Sequence, residues 1–509
     1  MDGYSVVPIL TALIITVSIF WYFWIYKKPK KETHPIPPGP RGLPILGYLP
    51  FLQPNLHHQF TELAKKYGPV YKLWLGSKLC VVISSPSLIK QVVRDQDTIF
   101  ANRDPPISAI VLTGGIDIVW SPYGQYWRDM RKLFVREMLS SSNLEASYVH
   151  RREEVEKVVK SLYTKAGSSV DIGEFIFATE LNVILNMLWG GTADKKIIER
   201  IGSEFREVMS KLVDLLGKPN VSDFLPVLAK FDVQGIEKEA KRLAPSFHEL
   251  LDSLISERMK TIETGHSKDG GRKDYLQILL ELKEQQDSET SIGLPQIKAI
   301  LMDIVTGGTD TTATIIEWVM AEVLKNPHVK GRVQEELAEV VGLENTVEES
   351  HIPKLHYLDA VLKETFRLHP PIPLLVPRRP NRSSIIGGHT IPKDCRVFLN
   401  IWSIHRDPLV WENPCEFIPD RFLKDSGNFD FTGTNFHYLP FGSGRRVCPG
   451  ILLAERMVRH LLATLLHLFD WKLPEGEKMD LSEEFGIVMR KKKPLIAIPS
   501  PRLRHSKFA

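Results

Sequence analysis

PFGSGRRVCPG, Pro440 to Gly450, sets a single cysteine, Cys448, among three glycines and two adjacent arginines. Gly442, Gly444 and Gly450 remove side chains and open backbone angles closed to other residues, so this backbone can lie close against another body. Arg445 and Arg446 add fork-shaped cationic donors suited to carboxylates or phosphates. Taken alone, the stretch also reads as a surface turn that happens to carry a thiol. The flanking sequence has to decide.

Three upstream segments carry candidate chemistry. AILMDIVTGGTDTTATIIEWVMAEVL, Ala299 to Leu324, is a long apolar helix with a polar, glycine-weakened centre. Gly307 and Gly308 each cost about 1 kcal/mol relative to alanine. The side chains of Thr309, Asp310, Thr311 and Thr312 can bond back to the backbone and widen the helix. Such widening makes room for a small ligand and sets an acid beside an alcohol, a unit able to relay protons. The competing reading is a buried helix whose threonines satisfy themselves.

KETFRLHPPIPLLVPR, Lys363 to Arg378, begins as a helix with Glu364 and Arg367 on one face. Such a pair, if exposed, contributes only about 0.2–0.5 kcal/mol. The apolar strip PPIPLLVPR then closes on Arg378, a candidate cavity wall with an anion partner at its edge. YWRDMRKL places Trp127 and Arg131 one helical turn apart, an aromatic donor and a cation on one side.

The rest of the body is patterned for helices. HHQFTELAKKYG, SLIKQVVRDQ, RREEVEKVVKSLYTKAG, RLAPSFHELLDSLISERMKTIE and YLQILLELKEQQ space their apolar residues three and four apart. VYKLWLG followed by KLCVVIS predicts a hairpin, RVFLNIW and PLIAIP predict strands, and ETGHSKDGGRKD (263–274) predicts a polar loop. The 509 residues are 43% hydrophobic and 25% charged, ordinary for a globular protein. A formal charge of +4 gives no case for nucleic-acid binding. Cys80, Cys395, Cys415 and Cys448 are scattered, which argues against a zinc site and a disulfide scaffold.

The N-terminus stands apart. Residues 3–26 carry no charge, a run long enough to cross a bilayer as a helix. Trp21, Tyr22, Trp24 and Tyr26 gather at its end, and Lys27, Lys28, Lys30 and Lys31 follow, which places the rest of the chain in the cytosol and the N-terminus in the lumen. The expected organisation is a transmembrane anchor at 3–26, a basic and proline-rich hinge at 27–50, and one body at 51–509.

Trp127/Arg131, GGTDTT, Glu364/Arg367, FIPDRF (417–422) and FGSGRRVCPG occur in the order and approximate spacing of the cytochrome P450 monooxygenases, and the chain resembles that family from the anchor to the C-terminal FGIVMRKKKPL. The specific part is FxxGxRxCxG, matched by Phe441, Gly444, Arg446, Cys448 and Gly450. The resemblance implies a mainly α fold with small β-sheets behind the N-terminal helix, and haem b with Cys448 as thiolate ligand to the iron. It implies that Trp127, Arg131, Arg378 and Arg446 hold the haem propionates, with Phe441 and Gly450 also lining the cofactor. It further implies that Glu364, Arg367 and Arg421 form a structural bridge and that Asp310 and Thr311 are the catalytic acid–alcohol pair. Two positions depart from the usual pattern: Asp420 stands where glutamate is common, and Pro449 follows the cysteine.

Within the family, GLPILGYLPFL, KLWLGSKLCVVIS and KPNVSDFLPVLAKFDVQGIEKE are similar to plant microsomal enzymes, in the group that contains cadinene hydroxylase and flavonoid hydroxylases. That similarity implies an endoplasmic reticulum membrane, NADPH–cytochrome reductase as electron donor, O2, and a small lipophilic substrate, a sesquiterpene or monoterpene first and a flavonoid second. VSDFLPVLAKF is expected to be an apolar access loop. A membrane haem protein serving only electron transfer is the alternative of another class, and GGTDTT argues against it, because a carrier has no use for an acid–alcohol pair.

The anchor reading makes a prediction about topology. Asn220-Val-Ser222 and Asn381-Arg-Ser383 match the glycosylation pattern; with the body in the cytosol neither is modified in cells, and endoglycosidase treatment leaves electrophoretic mobility unchanged. A glycan on either asparagine reverses the orientation.

Overall fold

Where apolar residues recur every three or four positions, the computed structural model is helical; it describes residues 6–26, 34–189, 195–263, 273–284, 292–424 and 427–503. The five expected helices fall at Leu56–Tyr67, Pro86–Lys90, Tyr148–Thr164, Ile236–Glu263 and Tyr275–Glu284. The second continues into a wider π-helical turn at Gln91–Asp95. Most of the expected 263–274 loop, and the basic start of the hinge at 27–33, lie outside the described residues.

Six helices matter for the site: α1 (Val6–Tyr26), α2 (Gln125–Glu137), α3 (Ile172–Trp189), α4 (Leu294–Lys325), α5 (His356–Leu368) and α6 (Ile451–Leu468). At 32 residues, α4 is about 48 Å long and runs through the core, apolar nearly all round because it is covered nearly all round. α3 packs antiparallel against it: Gly173 abuts Glu317 at one end and Ile184 abuts Gly308 at the other. A methyl added to Gly308 would stand 2.4 Å from Ile184 Cδ1, so that glycine is a close-approach position. The expected widening at GGTDTT does not occur. α4 is α-helical throughout, and the hydroxyls of Thr309 and Thr311 donate to the carbonyls of Val305 and Gly307, each at 2.8 Å, without opening the turn.

Both α1 and α3 are apolar over membrane-spanning lengths, but they sit differently. α3 is a core helix, buried along most of its length. In α1 the side chains of Ile9, Leu13, Phe20 and Phe23 are between 61% and 74% exposed.

The main sheet has five strands, β1 (Val70–Leu75), β2 (Lys78–Ile83), β3 (Asn102–Arg103), β4 (Arg378–Arg379) and β5 (Arg396–Leu399), in the order β1-β2-β5-β4-β3. The expected hairpin is β1–β2, and β5 joins it in parallel with Cys80 opposite Arg396. RVFLNIW is a strand only to Leu399. The Asn400 side chain then accepts from the N–H of Ser403 and starts a short helix at Ile401–Ile404, the usual capping use of asparagine. PLIAIP contributes the strand Ile496–Pro501, between Val170–Asp171 and Phe469–Lys472. The register that matters most sets Arg103 directly opposite Arg378.

The expected access loop is a short helix, Val221–Phe224, and a 3-10 turn, Pro226–Phe231. Phe224 is buried against the β1–β2 hairpin, while Val227 and Phe231 are 85% and 73% exposed, so this stretch faces outward rather than into a cavity. Asn220 beside it is buried and its side chain accepts from Ser222 N, which removes it as a sugar acceptor in the folded chain. Asn381, exposed, is the acceptor that reports topology.

Glu364 and Arg367 are no surface pair. Both are fully buried and meet in two parallel bonds of 2.7 and 2.8 Å. Arg367 also donates to the carbonyls of His405, Pro414 and Glu416, while Glu364 accepts from Arg421 Nε at 3.1 Å and Ile418 N at 2.9 Å. Asp420 takes no part in this bridge; it pairs with Arg332 at the surface. Arg367→Leu strips the buried Glu364 carboxylate of its two-bond partner, leaving it only Arg421 at the edge and Ile418 N, and is expected to cost about 3 kcal/mol. Arg421→Ala, at the bridge's edge, is expected to cost less. Denaturant unfolding of the two variants against wild type measures both.

Candidate active site

The Cys448 loop is held open by its glycines. Gly442 and Gly444 have φ of +72° and +71°, the left-handed region, and a methyl on Gly444 would lie 2.2 Å from the Val93 carbonyl oxygen. Cys448 N–H donates to Phe441 O at 3.0 Å and closes the loop. Phe441 packs at a tilt against Phe366 of α5 and edge-on against Phe431, which fixes the loop to the body. α6 begins at Ile451, immediately after. Burial pushes the Cys448 thiol up, while the Gly450 N–H and the Arg131 guanidinium pull it down. A thiol buried at a helix N-terminus, facing a backbone N–H and a cation, is built to be a thiolate once a metal replaces its proton.

Cys448 opens into a large cavity walled by the loop, α4, α5 and α6. Four guanidinium groups line it: Arg103, Arg131, Arg378 and Arg446. Arg131 donates to Val447 O, and Arg378 to Ser443 O at 2.8 Å with Asp97 at 3.2 Å. Arg446 donates to the carbonyls of Ala101, Ile118 and Ser121. Burial together with Arg378, Arg446 and Arg131 drives Arg103 well below its usual range, and burial with Arg378 and Arg131 brings Arg446 to about 9. Arg103 Nε is buried without a hydrogen-bond partner among the described residues.

Four cations on one wall, with only Asp97 paired among them, form a site that wants anions. The two propionates of haem supply two negative charges, and its iron takes the thiolate. The residues present fit the group.

Of the expected cofactor residues, Arg131, Arg378, Phe441, Arg446, Cys448 and Gly450 all line the cavity. Trp127 stands behind the wall, its indole N–H donating to Ile118 O at 2.9 Å and its ring face carrying Arg446 at 4.3 Å and Arg131 at 5.5 Å. It orients the two cations rather than lining the space. Arg445, the other arginine of the loop, turns outward to Asp97 and Tyr123. Arg103 was not among the expected residues. It lies in an unremarkable FANRDP stretch, and only the pairing of β3 with β4 brings it to the cavity.

On the opposite wall α4 presents Ile304, Gly307, Gly308, Thr311, Thr312 and Ile315. Gly307 meets nothing within 4 Å where a Cβ would stand, so its missing side chain keeps space clear beside Thr311. Asp310 points elsewhere: Arg490 donates to it at 2.7 and 3.1 Å and also pairs with Asp214. Burial pushes the Asp310 carboxyl up, and Arg490 offsets part of that. The strip after α5 contributes Ile372, Leu375 and Val376, as expected of a cavity wall, with Leu375 held at φ +50° over the cysteine loop.

A family model described as Cytochrome P450 matches residues 37–498. The chain is 37% identical to Flavonoid 3'-monooxygenase CYP75B137 of Crocosmia x crocosmiiflora, covering 97% of this chain and 98% of that protein. It is 38% identical to Cytochrome P450 76C2 of Arabidopsis thaliana, covering 95% and 96%. Among solved structures, a zebra fish cytochrome P450 with progesterone superposes with a TM-score of 0.75 at 26% identity, covering 88% of this chain and 100% of that one.

The ligand assignment has a spectral test. Cys448→Ser is expected to abolish the thiolate-type spectrum of the reduced carbonyl complex. Cys415→Ser, at an exposed thiol, keeps it. A thiolate spectrum surviving in the Cys448 variant removes the site.

Proposed function

The chain belongs to the cytochrome P450 family of haem-thiolate monooxygenases, and we propose that it hydroxylates a small lipophilic plant metabolite, a sesquiterpene or monoterpene, with O2 and electrons passed from NADPH by a cytochrome reductase. In this reading residues 3–26 anchor it in the endoplasmic reticulum membrane, 27–50 form the hinge, and 51–509 are the cytosolic catalytic domain. The exposed apolar surface of α1 supports the anchor.

The observation that carries the substrate reading is the character of the wall away from the cations. Ile118, Val119, Ile304, Ile315, Phe366, Ile372, Leu375 and Val376 give it an apolar lining suited to a molecule bound by shape.

Bound haem supplies oxygen reduction and insertion, with the cysteine thiolate donating the electron density that favours O–O cleavage. The chain's own residues set the conditions. Arg103, Arg131, Arg378 and Arg446 offer cations to the propionates, and Gly450 N–H and Arg131 support the negative sulfur. The aliphatic wall gives the substrate an apolar surface beside the open space at Gly307. Thr311 holds a transferable proton at Oγ, bonded meanwhile to the Gly307 carbonyl. Asp310, one residue earlier and about 100° around the helix, is held there by Arg490 and reaches Thr311 only around the helix.

A flavonoid is the second reading, favoured by the relatives: besides the Crocosmia enzyme, Flavonoid 3',5'-hydroxylase of Campanula medium is 36% identical over 526 residues. Microsomes carrying this chain and a plant reductase, fed limonene, a sesquiterpene hydrocarbon and a flavanone, separate the two. Turnover of the flavanone alone overturns the terpenoid reading.

Thr311→Ala is expected to bind haem and substrate while diverting reducing equivalents to hydrogen peroxide, because the proton donor nearest the substrate space is gone. A positioned acid is commonly worth about 10²–10⁴-fold, so product falls far below NADPH consumed. Product, peroxide and NADPH measured together check this; full coupling in the variant removes Thr311 from the proton path.

A further inference from the structure

One acid in the cavity wall has no role in the account above. Glu180 of α3 is 2% exposed and lines the cavity. Its Oε1 has no hydrogen-bond partner among the described residues. Burial alone pushes its carboxyl up to about 8, with no charged neighbour contributing, so near neutral pH it holds a proton.

The pairing of α3 with α4 fixes where that proton sits. Gly173 lies against Glu317 and Ile184 against Gly308. In this antiparallel register Glu180, one turn before Ile184, falls at the level of Thr311 and Thr312, one turn after Gly308. Both threonines line the same cavity. The competing acids are engaged or face elsewhere. Asp310 takes Arg490 on Oδ1 and, although its Oδ2 has no partner among the described residues, lies off the cavity face of α4. Asp303, also in the wall, accepts from Ile118 N at 2.5 Å and shares a hydrogen bond with Asp117. Glu180 is the cavity acid with unspent hydrogen-bonding capacity, and a buried polar atom left unpaired costs stability that needs a reason.

We propose that Glu180 is the proton-holding residue of this cavity, passing its proton through cavity water to the hydroxyls of Thr311 and Thr312. Hydroxylation consumes one O2, two electrons and two protons per substrate C–H and releases one water. In the relay the Glu180 O–H bond breaks, a water takes that proton and gives one of its own to a threonine Oγ, and the threonine's original proton moves on. The carboxylate left behind is reprotonated from solvent. Glu180 touches neither substrate nor reacting atoms; it is a positioning residue. The proposal rests on the monooxygenase chemistry, whereas the protonation state it requires is measurable without turnover.

The test uses the full-length ferric holoenzyme and its Glu180→Gln and Glu180→Asp variants. Infrared difference spectra across pH should show a protonated-carboxyl band in wild type that vanishes in Glu180→Gln and titrates with a midpoint near 8. With reductase and the panel member oxidised fastest, Glu180→Gln should form product roughly tenfold or more slowly. Peroxide should rise and the solvent deuterium isotope effect increase, and Glu180→Asp should restore most of the rate. Absence of the band, or coupled wild-type turnover in Glu180→Gln, overturns the proposal. Should Glu180→Gln fail to take up haem, the infrared titration and the pH profile of Glu180→Asp decide: a profile unchanged from wild type overturns it.

Discussion

The cavity depends on a guanidinium that never touches it. Arg367 has five N–H donors, and all five are used: two on Glu364 and three on the carbonyls of His405, Pro414 and Glu416. A buried ion pair is a weak source of stability against a well-packed apolar substitute, but it tolerates no wrong arrangement, because any other leaves a charge unpaired. It therefore dictates how the 405–421 segment lies on α5. His405, held neutral by burial and flanking arginines, its pKa brought down to about 3, accepts from Leu439 N at 3.0 Å. The constraint thereby passes to the strand of chain entering the cysteine loop. α5 also sets Phe366 against Phe441, so one helix fixes the entry of that loop at two points.

The arginine wall of the cavity shows the opposite electrostatic logic. Like charges placed directly across a strand pair destabilise it, yet Arg103 faces Arg378 across β3–β4 and both stay buried. Asp97 answers Arg378 and the exposed Arg445, leaving Arg103, Arg131 and Arg446 with carbonyls only. Neutral carbonyls satisfy N–H groups without neutralising them. The fold has therefore stored repulsion that a dianion relieves, which couples cofactor uptake to stability.

Much of this was legible from residue order because haem chemistry leaves few choices near the cysteine: Phe441, Gly444, Arg446, Cys448 and Gly450 each answer a local need. What escaped was set by tertiary pairing. Arg103 has no local signature and reaches the site through a two-residue strand. Glu180 lies in a helix that reads as apolar core, where one charged residue suggests an exposed edge. The Glu364–Arg367 spacing was visible, but only burial turns a pair worth a few tenths of a kcal/mol into a constraint on the whole proximal face. Conversely, α1 was legible locally, because its uncharged run, aromatic end and following lysines have no counterpart in α3, which carries Glu174 and Glu180.

GGTDTT shows the same limit at the scale of one helix. Written as a string, Asp310 and Thr311 are neighbours and read as one unit. On an α-helix that keeps its pitch they diverge by about 100°. The cavity stripe runs Ile304, Gly307, Gly308, Thr311, Thr312, Ile315, the three-and-four spacing of a single face, and Asp310 belongs to another. There it meets Arg490, whose strand Arg490–Lys491 pairs with Glu483–Glu484. Glu483 in turn is gripped by His57 and His58 at 2.9 and 3.0 Å. Asp310 thus joins α4 to a hairpin tied to the N-terminal part of the body. Any proton it sends to Thr311 has to travel around the helix, from a carboxyl that Arg490 holds through two hydrogen bonds. An acid in that position is better placed to hold the hairpin against the helix than to supply protons quickly.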